Sequence, residues 1–185
     1  MMNLLQQVLQ EINATVAFFP EPEIERVAVL LHQKRSNLKT RFFVNGEGRS
    51  GLMAKAFAMR LMHIGYPVYV VGETVTPSIG AEDVVIAISG SGASGSVVGG
   101  AEKSAKIGAF VLAMTNRPES PLAKASDTVV TIPGATKLDK GEDKHSIQLL
   151  SSLFDQSLHI ILDCICLRLS QIEKQSEEDA RSRHF

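Results

Sequence analysis

Apolar positions in the first 36 residues recur at helical spacing. Leu5, Val8, Leu9, Ile12 and Val16 fall on one face and predict a first helix. A second is expected from near Pro22, a residue tolerated in a first turn, with Ile24, Val27, Ala28 and Leu31 as its buried stripe. Packing or oligomer contact is the expected use of both. From Arg41 the period changes. Short apolar runs at Phe42–Val44, Val68–Val71, Val84–Ile88, Phe110–Met114 and Thr128–Ile132 alternate with helical patterns ending near His63 and Ile107, and with a short one over Pro121–Ala125. Strands alternating with helices signify βα units on a parallel sheet. Right-handed crossovers then place helices on both faces. The expected class is therefore α/β: a doubly wound five-stranded parallel sheet preceded by two N-terminal helices.

Residues 134–146 read as a polar loop carrying Lys137, Asp139, Lys140, Glu142, Asp143, Lys144 and His145. A long helix is expected from about Ile147 to Ile172, apolar around most of its circumference, followed by a charged tail over 173–185. A helix of that kind is buried, part of it here against another subunit. With no repeat or linker, residues 1–185 are expected to form one domain.

Composition narrows the function. Hydrophobic residues make up 44% and charged ones 21%, which excludes the disordered and fibrous classes. A chain of 185 residues buries enough surface to fold without disulfide or metal staples. Nineteen Lys and Arg stand against twenty Asp and Glu, so no basic excess exists to neutralise a row of phosphates, and nucleic acid is not the expected partner. Cys164 and Cys166 lie two positions apart on a helical pattern, point to different sides and read as reduced thiols. Gln6, Gln7, Gln10 and Glu11 interrupt the N-terminal apolar pattern, which lacks the basic start of a secretory signal. His159, Asp163 and Arg168 break the longest apolar run near the C-terminus. No membrane association and a cytoplasmic location are expected.

Two glycine-rich segments each follow a strand and open a helix. Backbone N–H groups at a helix start lack intrahelical partners and favour an anion. The first segment matches G-x-G-x-x-G through Gly46, Gly48 and Gly51, and Glu73 follows 22 residues after Gly51. That is the pattern of a dinucleotide site. Against it, Arg49 and Ser50 place polar side chains where a pyrophosphate needs close backbone approach. The second segment sets Ser89, Ser91, Ser94 and Ser96 among Gly90, Gly92, Ala93 and Gly95. Hydroxyls together with amides can hold a phosphate without fixed positive charge. Ser96, not Lys, follows Gly95, so this is no nucleoside triphosphate loop. The bland alternative is a simple strand-to-helix turn. Arg49 is placed to orient Glu73 or contact a ligand, while Lys55 and Lys137 read as solvated.

The block from Gly46 to Gly65, including Gly46-Glu-Gly-Arg-Ser-Gly51 and His63, resembles the 6-phospho-3-hexuloisomerase family, a single-domain branch of the sugar isomerase (SIS) fold. The match continues at Val71-Gly72-Glu73-Thr74, Thr76-Pro77, Ile88-Ser-Gly-Ser-Gly92, Ser146-Ile147-Gln148 and Ser152-Leu153-Phe154 with Gln156. The resemblance implies a tetrameric isomerase without cofactor or metal, interconverting 3-hexulose 6-phosphate and fructose 6-phosphate after formaldehyde has been condensed onto ribulose 5-phosphate. It implies that Ser50 and the loop Ser89–Ser94 bind the sugar phosphate. The family's base is a Glu directly after the Phe of Ser-Leu-Phe; here that position is Asp155, shorter by one methylene. Glu73 is the reserve candidate. A second proton-transfer group is sought among the histidines: His63 inside the matching block, and His184 in an abbreviated tail reaching a neighbour's site. His32, His145 and His159 read as surface or core residues. The other readings are a sugar-phosphate sensor without catalysis and a dinucleotide-dependent enzyme.

Overall fold

The structure, a computed structural model, describes residues 3–136, 138–139 and 146–184. Two helices, α1 (Leu4–Val16) and α2 (Glu21–Arg35), lead into β1 (Phe42–Gly46), α3 (Gly48–His63), β2 (Val68–Val70), β3 (Val84–Ile88), α4 (Gly95–Ile107), β4 (Phe110–Thr115), α5 (Pro121–Lys124) and β5 (Thr128–Thr131). The chain closes with α6 (Ser152–Ile172) and α7 (Glu177–Ser182). The strands lie in the order β2-β1-β3-β4-β5 and every neighbouring pair is parallel. All five strands predicted from the sequence are present, as are the helices on both faces.

Side chains alternate along the strands and divide the core into two layers. Phe42 and Val44, then Val84, Ile86 and Ile88, then Leu112 and Met114 pack with Val27 and Leu31 of α2, Phe57 and Leu61 of α3, and Phe154, Leu158 and Ile165 of α6. Phe43, Val85, Ala87, Val111 and Ala113 face the other way, onto Val97 and Ala101 of α4 and Leu122 of α5. The α2 stripe thus reaches the core as expected. The α1 stripe does so only in part. That helix lies against α6 with Val8, Ile12 and Val16 half-buried, but Leu5 and Leu9 stay exposed and none of its residues is fully buried.

The long helix begins five residues later than the apolar run suggests. Residues 147–151 are turns, with Leu150 in the left-handed region at φ 52°. Glu11 of α1 fixes that stretch: its carboxylate accepts from Ser146 Oγ (2.8 Å), the Ile147 amide (2.8 Å) and Gln148 Nε2 (3.2 Å). These bonds hold the backbone out of helical register until Ser152. The expectations for Lys137, Lys140, Glu142, Asp143, Lys144 and His145 lie outside the described residues. Both cysteines are free, Cys166 buried and Cys164 partly so.

The charged tail folds back on the body. Glu173 accepts from His32 Nδ1 (3.0 Å) and Tyr66 OH (2.9 Å) and pairs with Arg35 Nη1 (3.0 Å). Burial alone would push its carboxyl up; the bonds from His32 and Tyr66 and the Arg35 charge outweigh it and hold the group below the ordinary carboxylate range. The contribution of an acid whose folded pKa is depressed is complete above its unfolded value and is lost as pH falls through the folded one. Glu173→Gln is expected to lower the unfolding free energy by about 1–3 kcal/mol at neutral pH. In denaturant titrations that difference should shrink as the pH drops below the ordinary value of 4.5.

Candidate active site

Parallel register sets the position of the site. Gly46 at the end of β1 pairs with Ile88 at the end of β3, so the two strand ends are level. From β1 the chain passes to β2 on one side, and from β3 to β4 on the other. The sheet's topological switch point lies between them, where open α/β sheets receive ligands. A cleft of about 410 Å³ opens there, lined by Glu47 to Ser50, by Ile88 to Ser91 with Ser94, and by Leu149 to Ser152 with Asp155.

Three helices start on this cleft: α3, α4 and α6. Their cap residues, Glu47, Ser94 and Ser151, make no side-chain capping bond. Of the helices that begin elsewhere, α1, α5 and α7 are capped by Asn3, Ser120 and Ser176, and α2 starts after Pro20 without a side-chain cap. Three positive helix ends directed at one cavity favour an anionic ligand.

Close packing explains one glycine in each loop, Gly51 in the first and Gly92 in the second. A Cβ on Gly51 would lie 2.6 Å from the Gly46 carbonyl oxygen, so the first turn of α3 can sit against β1 only without a side chain. Gly92 has φ +62°, and a Cβ there would lie 2.0 Å from Ser120 Oγ. This tight seat turns the serine loop toward the cleft. Ser89, Gly90, Ser91 and Ser94 line it, while Gly92 and Ala93 shape the turn without lining it. Ser89 Oγ and Ser94 Oγ are 3.1 Å apart, and Ser91 Oγ accepts from the Ala93 amide (3.3 Å). The segment is therefore a strand-to-helix turn whose hydroxyls are gathered at a helix start.

Asp155 enters from the first turn of α6 and is 2% exposed. Ser50 Oγ donates to its Oδ1 at 2.7 Å, and Arg49 Nε stands 3.8 Å from its Oδ2. Burial raises its pKa above the ordinary aspartate value; the Ser50 bond and the Arg49 charge pull against that without cancelling it. Arg49 Nη1 also donates to Ser152 Oγ (2.9 Å), which holds the guanidinium across the cleft mouth. Carboxylate, hydroxyl, cation and serine loop are thus brought together as the sequence suggests.

The remaining candidates lie elsewhere. Glu73, expected at the site, sits exposed after β2 and pairs with Lys55 Nζ at 2.5 Å; Arg49 turns to Asp155 instead of to Glu73. His63 is at the opposite end of α3 from Ser50, about 20 Å away at 1.5 Å per residue. It stacks on His184, ring centroids 5.2 Å apart. Arg183 brings the tail there by donating to the His63 carbonyl (3.1 Å) at the negative end of α3. Within its own subunit, neither histidine reaches the cleft. Glu47, Leu149, Leu150, Ser151 and Ser152 line the cleft without having been singled out as site residues. The signals were the place of Glu47 inside the first glycine-rich block and of Ser151 and Ser152 directly before an apolar helix.

The comparisons with known proteins agree with this geometry. Residues 37–160 match the SIS domain family. The chain is 41% identical over 182 residues to the 3-hexulose-6-phosphate isomerase of Mycobacterium gastri, covering 98% of this chain and 88% of that protein. It is 35% identical over 178 residues to the 3-hexulose-6-phosphate isomerase of Bacillus subtilis, covering 96% and 94%. It also superposes, with TM-score 0.77 and 28% identity over 98% of this chain and 97% of the other, on a Methanococcus jannaschii protein whose crystal structure led to the inference of that same function. The chain belongs to the SIS domain family and, within it, to the family of the 3-hexulose-6-phosphate isomerases.

Proposed function

We propose that the protein is an isomerase interconverting 3-hexulose 6-phosphate and fructose 6-phosphate through an enediol, with Asp155 as the proton-transfer group. The observation that carries this reading is the buried Asp155 carboxylate, bonded to Ser50 and facing the serine loop across one cleft. The phosphate rests on the Ser89–Ser94 loop and the starts of α3 and α4. The carbonyl end of the sugar then lies toward Asp155. Moving the carbonyl from C3 to C2 requires removing the proton on C2 and returning one to C3, while the hydroxyl proton on O2 passes to O3. A carboxylate with a raised pKa suits both halves, since it is basic enough to accept the proton and acidic enough to give it back. Arg49 supplies positive charge where the enediolate oxygens develop. His63 and His184 enter the chemistry only if a neighbouring subunit presents them.

We infer further that the enzyme acts in the cytoplasm, in the formaldehyde-fixing sequence that makes its substrate, and works as a homotetramer. Supporting the last point, Leu4, Leu5 and Leu9 on α1 and Leu149 and Leu150 beside the cleft are exposed. Light scattering is expected to give a species four times the 20.0 kDa chain mass; a monomer would refute the assembly and leave the chemistry standing.

Fructose 6-phosphate incubated with the protein in deuterated water is expected to gain deuterium at C3. Asp155→Asn should slow that exchange by about 10²–10⁴-fold with little loss of affinity. Tight binding with no exchange by the wild type would instead mark a sensor. The pH dependence offers an independent check. Catalysis requires ionised Asp155, and Arg49 favours that ionised form. Arg49→Gln is therefore expected to move the acid limb of the kcat/KM profile to higher pH.

A further inference from the structure

The N-terminal helix has no place in the mechanism above, yet one of its side chains holds the segment that walls the cleft. Leu149 to Ser152 line the cleft on the α6 side, and Asp155 follows in the first turn of that helix. Within the subunit, the side chains of this segment do little to fix it: Leu149 and Leu150 are 78% and 73% exposed. Leu150 is also in the left-handed region, which a residue with a Cβ keeps only where its surroundings impose it. A hold comes from the residues just before. Glu11 of α1 accepts from Ser146 Oγ, the Ile147 amide and Gln148 Nε2, and Ser146 Oγ in turn accepts from the Gln148 amide at 3.0 Å. An ionised carboxylate is all acceptor and satisfies three converging donors, where an amide would turn an NH2 group on one of them.

We propose that Glu11 is a positioning residue for the reaction: by clamping residues 146–148 to α1, it sets where α6 starts and so aims Asp155 and Arg49 at the carbonyl end of the sugar. This rests on the isomerase reading of the cleft and deepens it. Glu11 itself does not line the cleft, so it acts through others. Two links carry the constraint. The Ser152 amide donates to the Leu149 carbonyl (3.0 Å) and the Asp155 amide to the Ser151 carbonyl (2.9 Å), so the clamped turn runs directly into the turn of helix that carries the carboxylate. Ser152 Oγ accepts from Arg49 Nη1 (2.9 Å), so the same segment fixes the cation. The phosphate end rests on other elements, the Ser89–Ser94 loop and the starts of α3 and α4. Loss of the clamp therefore disturbs proton transfer and spares the grip on phosphate. The arrangement also gives the lightly packed α1, none of whose residues is fully buried, a task in the site.

The test compares the intact protein with Glu11→Ala, Glu11→Gln and Ser146→Ala. Two quantities are read: the rate of deuterium gain at C3 of saturating fructose 6-phosphate, and the calorimetric affinity for that sugar phosphate. Misplacing a reacting group by about 1 Å can cost about 10²-fold in rate. Glu11→Ala is therefore expected to lower the saturating rate by about 10- to 100-fold, while the dissociation constant changes by less than about threefold. Glu11→Gln, which keeps one acceptor oxygen, and Ser146→Ala, which removes one donor, should each retain more of the rate than Glu11→Ala does. Amide hydrogen exchange at Ser152 and Asp155 should quicken most in Glu11→Ala. Glu11 is half-buried on a lightly packed helix, so the variants are expected to fold, with melting curves and light scattering as controls. Should Glu11→Ala melt below the assay temperature, Glu11→Gln and Ser146→Ala decide by the same criteria. A saturating rate equal to that of the wild type, or a loss of affinity at unchanged rate, overturns the proposal and leaves the isomerase reading intact. A fall in rate that comes only with a change in molecular mass does the same. A wild type that binds fructose 6-phosphate without exchange overturns the isomerase reading, and the proposal with it.

Discussion

The level ends of β1 and β3 are the constraint on which the rest of the site depends. Because Gly46 and Ile88 are register partners, the loops after them leave the sheet at one height and their helices start on one cavity. A slip of one residue would turn every side chain of β3 to the other layer, exchanging Val84, Ile86 and Ile88 for Val85 and Ala87. The same register thus fixes both the core and the cleft. The glycines serve it locally: Gly51 lets α3 approach within contact of β1, and Gly92 lets the serine loop tuck under Ser120.

Electrostatics then gives the cleft two unlike ends. The serine loop and the starts of α3 and α4 offer dipoles and hydroxyls, suited to an anion that must also leave. The α6 side offers a buried carboxylate whose charge is disfavoured by desolvation and partly restored by Ser50 and Arg49. Ser50 belongs to α3 and Asp155 to α6, so their 2.7 Å bond joins two helices that approach the sheet separately. The Asp155 carboxylate is positioned by a contact across the fold, and its geometry is set by the packing of α3 against α6.

Much of this was legible in the sequence, for physical reasons. The strands read as apolar runs because the central three, β1, β3 and β4, are covered on both faces, and the edge strands β2 and β5 are still half-buried. The two loops were visible because close backbone approach demands glycine, and the hydroxyls of Ser89, Ser91 and Ser94 stood out among them; Ser50 and Asp155, which meet in the same cleft, were pointed to only by the family resemblance. What failed was long-range. Nothing near Ile147 in the chain reveals that Glu11, 136 residues earlier, accepts from its amide and delays the start of α6. Glu73 stood at the right strand end for a ribose, but Lys55 one helix back claims it. His63 and His184 do meet, though as a stacked pair at the wrong end of α3 for their own cleft. Glu47 lay inside the motif without standing out, because Ser96, whose Oγ donates to it, comes from the next βα unit.

A cleft built only to sense a sugar phosphate would be better served by another residue at 155. A carboxylate 2% exposed carries a desolvation cost that one hydroxyl and a cation at 3.8 Å do not remove, as its raised pKa records. It also places negative charge in the cavity that must accept a phosphate. Asparagine could keep the Ser50 bond through its side-chain oxygen and would avoid both penalties. Retaining the acid makes physical sense where the ability to take up and release a proton is itself the function. Burial that is a liability for binding becomes, for a base that must also act as an acid, the means of bringing its two protonation states close in energy. The placement of Asp155 therefore favours catalysis over sensing, on grounds independent of any likeness to other proteins.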